Sequence, residues 1–370
     1  FFFKQKTAYE IPKRDWSSDV CSSDLEFQSI NLLNSTPGCT AGANCATAAT
    51  GTATSATFFR ETYVDFRPIP SIAPNLNMFR MGVFRMPFGI FTEQSGGLRD
   101  VISSPYLTSV GSGNGNTTGA AGAMEFIHER DYFIDARGEL FNKLHYVVGV
   151  MDGNNYHANT GIGGGLGANG PKQMYTRERF MLSDISFISF TGIWGESNNT
   201  STAINGRGKG NLDRYGIDGR YTSRVLPGLM IQGELWQGHD GANATTVGVP
   251  AQGACQTTTV CGGSGAPGVQ RRTWYGLAKY FISEGPLKNF EPVFMYEQFD
   301  PNTKMSNDMY TRQIVGFNYY FENLPPKIQT KLSINYEFRH HQGNGPGTAI
   351  ANTDAFAQNA LLVQFQVRYQ

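Results

Sequence analysis

Few side chains in this sequence are spaced for bond chemistry. His340 and His341 stand together at the end of an alternating stretch, as a metal pair or as a solvated rim. Asp300, Asn302 and Asp308 bring oxygen ligands close in sequence, but in no spacing of a known calcium loop. "GLGANG" (165–170) matches G-x-G-x-x-G, yet it lies in a Gly-rich run with no strand before it and no helix after, so it reads as a flexible loop. No Ser/His/Asp set can be placed. His128 and His145 fall inside strand-like stretches and His239, His340 and His341 at their ends, which leaves a hydrolase little to work with. The expectation is no catalytic residue, no metal site and no cofactor.

The cysteines offer redox chemistry in two local pairs. Cys39 and Cys45 bound "CTAGANC", and Cys255 and Cys261 bound "CQTTTVC". Four cysteines allow three connectivities. Closing each loop on itself, Cys39–Cys45 and Cys255–Cys261, is the shortest. A metal site is the other reading, but the spacing is not that of a C-x₂-C ligand pair. Loop disulfides point to an oxidising compartment such as the periplasm or cell surface.

The fifth cysteine, Cys21, belongs to a stretch that no fold requires. Read back through the genetic code, Lys4–Ile11 and Asp15–Leu25 fit the two constant arms of a DNA-sequencing library adapter, with an index-sized gap between them. Residues 1–25 are therefore set aside as not native. The expectation is that the protein's own sequence starts near Glu26, with its true beginning missing.

What remains is chemistry by charge. Lys and Arg number 30, and Asp and Glu number 30, giving a net charge of zero. That balance gives no support for a nucleic-acid partner. Charged residues make up only 16%, against roughly 25% in an average soluble domain. Gly is abundant at 44 residues, and aromatics reach 13%. No stretch approaches the ~18 consecutive apolar residues of a transmembrane helix.

The elements that would position these charges alternate with period two. In "LLVQFQVRY", Leu361, Val363, Phe365, Val367 and Tyr369 point one way and Gln364, Gln366 and Arg368 the other. In "TKLSINYEFRH", Leu332, Ile334, Tyr336 and Phe338 oppose Lys331, Ser333, Asn335, Glu337 and Arg339. Strands are expected at 26–33, 57–66, 76–88, 128–139, 144–152, 172–182, 186–196, 211–222, 229–239, 271–283, 290–300, 309–321, 328–341 and 355–369. Short turns and long Gly/Asn/Thr-rich loops alternate between them. This pattern predicts an all-β, transmembrane antiparallel β-barrel of the bacterial outer membrane. About fourteen strands are present, and a missing N-terminal hairpin would make sixteen, enough for an aqueous channel. A soluble β-sandwich alternates too, but its strands are shorter, and it has no use for aromatics gathered at strand ends or for charges filling one face.

The order of several motifs carries a resemblance. "FRMGVFRMPFGIFTE" (79–93) contains Arg85, Met86, Pro87, Phe88 and Gly89, and resembles the Lys/Arg-x-Pro-Phe-Gly strand of the phosphate-selective porin O/P family. "LDRYGIDGRYTSRVLPGLMIQGE" (212–234), "YEQFDPNT" (296–303), "GFNYYF" (316–321) and "TKLSINYEFR" (330–339) before the final "ALLVQFQVRY" (360–369) resemble later parts of the same family. The resemblance implies a homotrimer of sixteen-stranded channels in outer-membrane lipid. It also implies that 89–127 is an extracellular loop folded inward, with Glu93, Arg99 and Asp100 as constriction candidates.

Family members that select phosphate line the pore densely with Arg and Lys. Here the candidate pore-lining residues are Arg80, Arg137, Lys143, Arg220, Lys279, Lys331, Arg339 and Arg368. Glu129, Asp131, Asp218, Glu234, Glu297 and Glu337 are expected on the same face. Such a mixed lining does not establish anion selectivity. The expected function is passive diffusion of small hydrophilic solutes or ions, phosphate among them. The alternatives are an outer-membrane barrel hydrolase and a ligand-binding receptor with a blocked lumen.

Overall fold

The structure is a computed structural model that describes residues 27–30, 56–59, 62–68, 72–94, 99–106, 130–151, 172–197, 210–240, 269–300, 303–304, 306, 309–321, 328–342 and 359–369. In chain order these form β1 (Phe27–Ile30), β2 (Ala56–Phe59), β3 (Thr62–Phe66), β4 (Leu76–Arg85), α1 (Gly89–Glu93), β5 (Arg130–Leu140), β6 (Leu144–Met151), β7 (Gln173–Met181), β8 (Phe187–Ser197), β9 (Gly210–Thr222), β10 (Leu229–Asp240), β11 (Val269–Tyr280), β12 (Phe290–Asp300), β13 (Tyr310–Tyr320), β14 (Ile328–His341) and β15 (Ala360–Tyr369).

Strands β3 to β15 make one 13-stranded sheet in which each pairs antiparallel with its sequence neighbours. β1 and β2 pair with each other in a separate two-stranded sheet. The single strand expected over 57–66 is thereby corrected. It is two strands, of which β2 turns to β1 while β3 joins β4. The fold is all-β and antiparallel, as the alternation predicted. Among the described residues no pairing joins β15 to β3.

Turn lengths follow the expected alternation with one exception. The tightest connection, 141–143, uses Phe141 and Asn142 at φ 55° and 54°, the backbone that suits the right-handed twist of a hairpin. The connection 301–309, expected among the long loops, is no longer than 281–289 on the short-turn side. Thr303 N–H donates to Gln270 O at 2.9 Å, which sets Thr303 against the start of β11.

The two faces of the sheet are inverted relative to a water-soluble protein. On β12, Glu291, Val293, Met295, Glu297 and Phe299 are buried while Pro292 and Phe294 are exposed. On β15, Leu361, Val363, Phe365 and Val367 are each more than 60% exposed. The same exposed face carries Phe79, Ile134, Val150, Met174, Phe190 and Val315. The sheet curls. One buried cluster joins Phe84 of β4, Phe133 of β5, Tyr175 of β7, Trp236 of β10, Phe299 of β12 and Tyr310 of β13. Neighbouring strands lie about 4.8 Å apart, so a flat sheet would spread these six residues over roughly 43 Å. Phe88 and Tyr106, from the chain that follows β4, complete the cluster inside the curve.

Candidate functional site

The concave face is built around the chain that leaves β4. Met86, Pro87 and Phe88 are buried, Gly89 turns at φ +67°, and α1 begins. α1 has no side-chain cap of its own at Phe88. A strand supplies one instead. Ile90 N–H and Phe91 N–H both donate to Glu234 Oε1 of β10 at 2.8 Å. These are two of the orphan donors that every helix start must satisfy. The same carboxylate accepts Tyr275 Oη–H at 2.6 Å and Trp236 Nε1–H at 3.0 Å. A Cβ on residue 89 would lie 2.0 Å from Glu234 Oε2, so any larger residue would both strain this positive φ and displace the carboxylate that caps α1.

Arg177 of β7 is the second anchor. Its Nη1 donates to the carbonyls of Pro87 and Gly89 at 3.0 and 3.1 Å and lies 2.6 Å from Glu93 Oε1. Its Nη2 meets Asp218 Oδ1 of β9 at 2.9 Å. Arg179, two residues on and so on the same face, donates to Glu93 Oε2 at 2.6 Å. Burial alone would push the Glu93 carboxyl up. The two guanidinium groups outweigh it and hold Glu93 below the ordinary carboxylate range.

Residues 99–106 are held by β11 to β14. Lys279 Nζ donates to Asp100 Oδ1 at 2.5 Å, and Asn318 Nδ2 to Asp100 O at 2.9 Å. Lys331 Nζ donates to Arg99 O at 2.7 Å, and Ile102 N–H to Asn335 Oδ1 at 2.8 Å. Arg312, paired with Glu297 and 3.4 Å from Glu337, donates to Ser104 O at 2.7 Å. Tyr106 N–H donates to Glu297 Oε2 at 2.9 Å, and burial pushes the Tyr106 phenol up. Side chains of the wall thus take the place of sheet partners for this segment. Val101 and Phe91 pack with Met230, Leu277, Val293 and Met295 beneath it.

The pore-lining candidates fall as follows. Arg80 grips Asp65 through two bonds of 2.6 and 2.7 Å and stacks on Tyr63. Arg137 grips Asp135 at 2.9 and 2.8 Å. Arg220 Nε donates to Gln232 Oε1 at 3.1 Å. Arg339 donates to Glu337 Oε2 at 2.8 and 2.6 Å. Lys331, Lys279 and Asp100 are brought together on the segment just described. Arg99 reaches Ser104 Oγ at 2.8 Å and covers the Phe91 ring. Lys143 is corrected: it sits exposed in the 141–143 turn and not on the concave face. Arg368 holds its strand position opposite Gln329, but its side chain lies outside the described residues. So do Glu129, His128 and all four paired cysteines.

Arg177, Arg179, Arg312 and Glu291 were not among the expected residues. Period-two spacing could have found them: "QMYTRERFM" sets Tyr175, Arg177 and Arg179 on one face of β7.

No family profile and no curated protein matches the chain. Among solved structures, the fold is similar to that of an anion-selective porin from Comamonas acidovorans. The TM-score is 0.43 at 11% identity, covering 79% of this chain and 74% of that one.

Much of the charge described on the concave face is paired, although Arg220 and Lys331 bond to neutral groups. Arg80, Arg137, Arg177, Lys279, Arg312 and Arg339 each touch a carboxylate within 3.5 Å. Among the described residues no group of three or more His, Cys, Asp or Glu could hold a metal. A lining of this kind can hold water and solvate polar solutes without concentrating one sign of ion.

Proposed function

We propose that this chain is an outer-membrane porin, a trimeric β-barrel that lets small hydrophilic solutes and ions diffuse through a water-filled lumen. The single observation that carries the reading is the inverted sheet. Apolar side chains cover the exposed face, and charged residues fill the concave one. A soluble protein rarely exposes an apolar patch of more than a few hundred Å². A lipid-facing barrel exposes one all around. Residues 89–94 and 99–106, pinned across the concave face, narrow the lumen, with Glu93 and Asp100 at the constriction.

The paired charges favour weak ion selectivity over a dedicated phosphate path. The test is single-channel conductance in planar bilayers, with salt gradients and phosphate added against chloride. Stepwise conductance in triplets with a reversal potential near zero is expected. Phosphate block at millimolar concentration would restore the phosphate-selective reading. No conductance from folded, heat-modifiable protein would overturn the channel and favour a receptor with a blocked lumen or a barrel enzyme.

A further inference from the structure

The exposed face changes character where β9, β10 and β11 approach their long connections. Ile217, Leu235 and Trp274 stand in one registered row across these strands. Two residues nearer the long connections, and so on the same face, stand Tyr215, Gln237 and Arg272. All three are exposed. Aromatic rings mark the border between the two rows. Trp194 Nε1–H donates to Tyr215 Oη at 3.0 Å, and the Trp274 ring lies 5.2 Å from that of Tyr296. Rings at this level suit the boundary between hydrocarbon and headgroups.

The row beyond the rings offers donors. The Tyr215 oxygen already accepts from Trp194, which leaves its O–H to donate. Gln237 and Arg272 have no hydrogen-bond or ion-pair partner among the described residues. Asp300 of β12 stands beside Arg272 in register, but its interaction is with another group, so the guanidinium is not taken up by it. Neighbouring strands lie about 4.8 Å apart, so the three donors share a strip about 10 Å wide. One cation between hydrocarbon and water, with two neutral donors beside it, has the polarity to hold an anionic headgroup.

We propose that Arg272, Gln237 and Tyr215 bind a phosphate of the glycolipid that fills the outer leaflet of the bacterial outer membrane. The guanidinium fork takes two phosphate oxygens, the geometry for which arginine is suited. The Gln237 amide and the Tyr215 hydroxyl donate to the others. An acyl chain of the same lipid runs over Leu235 and Ile217. Position decides the occupant. In a porin the long connections face outward, which puts this row in the outer leaflet, where the lipid carries phosphate. The proposal rests on the porin reading.

The test is native mass spectrometry of the full chain released from detergent, with lipid A carrying two, one or no phosphates added in turn. Wild type should retain the phosphorylated forms about fivefold over the phosphate-free form. Arg272→Gln should remove most of that preference, and Arg272→Lys, which keeps the charge but not the fork, should fall between. Lys143→Gln removes an exposed cation at the opposite end of the sheet and should change nothing. Heat-modified mobility checks that each variant folds. Equal retention of the three forms, or a preference unchanged in Arg272→Gln, overturns the proposal. An equal loss in Lys143→Gln also overturns it, since any surface cation would then serve. The same preparations are assayed for conductance. Conductance without phosphate preference sinks this inference alone, whereas absence of conductance sinks the channel reading.

Discussion

Glu234 on β10 and Phe91 on α1 are 143 residues apart in sequence, and a 2.8 Å hydrogen bond joins them. A strand carboxylate is therefore the cap of a helix that has none of its own. Replacing Glu234 by Ala leaves the Ile90 and Phe91 amides buried without an acceptor, at a cost of about 1–3 kcal/mol for each group left unpaired. Glu234→Gln, which keeps one acceptor oxygen, should fall between. Thermal unfolding should rank wild type above Gln above Ala, and Glu234→Ala channels should conduct more as the segment loosens.

Gly89→Ala places a methyl where Glu234 Oε2 now stands, on a backbone of positive φ. It should destabilise by more than about 1 kcal/mol. Because the clash is with Glu234, adding Glu234→Ala should cost less in that background than alone. A double-mutant cycle reads this coupling, and strict additivity would refute the contact.

Arg177 serves Glu93, Asp218 and two carbonyls at once. Arg177→Met removes the cation and leaves Asp218, 2% exposed, without its charge partner. Breaking a buried pair from one side costs about 3–5 kcal/mol. Arg177→Met with Asp218→Leu should recover much of that loss. Denaturant or heat titration of the three variants decides it.

The Glu93 clamp has a pH signature. A carboxyl held below its ordinary value contributes stability that is complete above the unfolded value of about 4.3 and fades as pH falls through the lowered folded value. The stability difference between wild type and Glu93→Gln should therefore be full at pH 7 and shrink towards pH 3. A difference that stays constant over this range would show that the carboxylate charge plays no part.

Selectivity should respond to unpairing. Asp135→Asn leaves Arg137 without its carboxylate and should move the reversal potential towards anions. Arg137→Gln should move it towards cations. The double variant should return near wild type, since the pair is neutral as it stands. Equal reversal potentials in all four proteins would place the pair outside the conduction path.

The walls were legible in the sequence because a strand declares itself by spacing of two. Leu361 to Val367 and Leu332 to Phe338 announce their faces without reference to any other part of the chain. The segment on the concave face was not legible from its own residues. "FGIFTE" has no Ser, Thr, Asp or Asn ahead of it to start a helix, since its cap comes from Glu234. Nor could spacing tell that Asp100 meets Lys279 and not Lys143, because both are lysines near strand ends.

The wall and the segment crossing it also differ in when they can form. Each strand of the wall bonds only to the strand before and the strand after, so the sheet can grow hairpin by hairpin as the chain is laid down. The segment cannot. Residues 90–102 are made early, but their partners, from Arg177 to Asn335, arrive up to 233 residues later. Until then the Ile102 amide has no acceptor from the wall. The interior of this protein is finished by nearly its last strands: a chain interrupted before β14 would keep Arg177 and Glu234 on α1 but lack Lys331 and Asn335, and with them the bonds that hold Arg99 and Ile102.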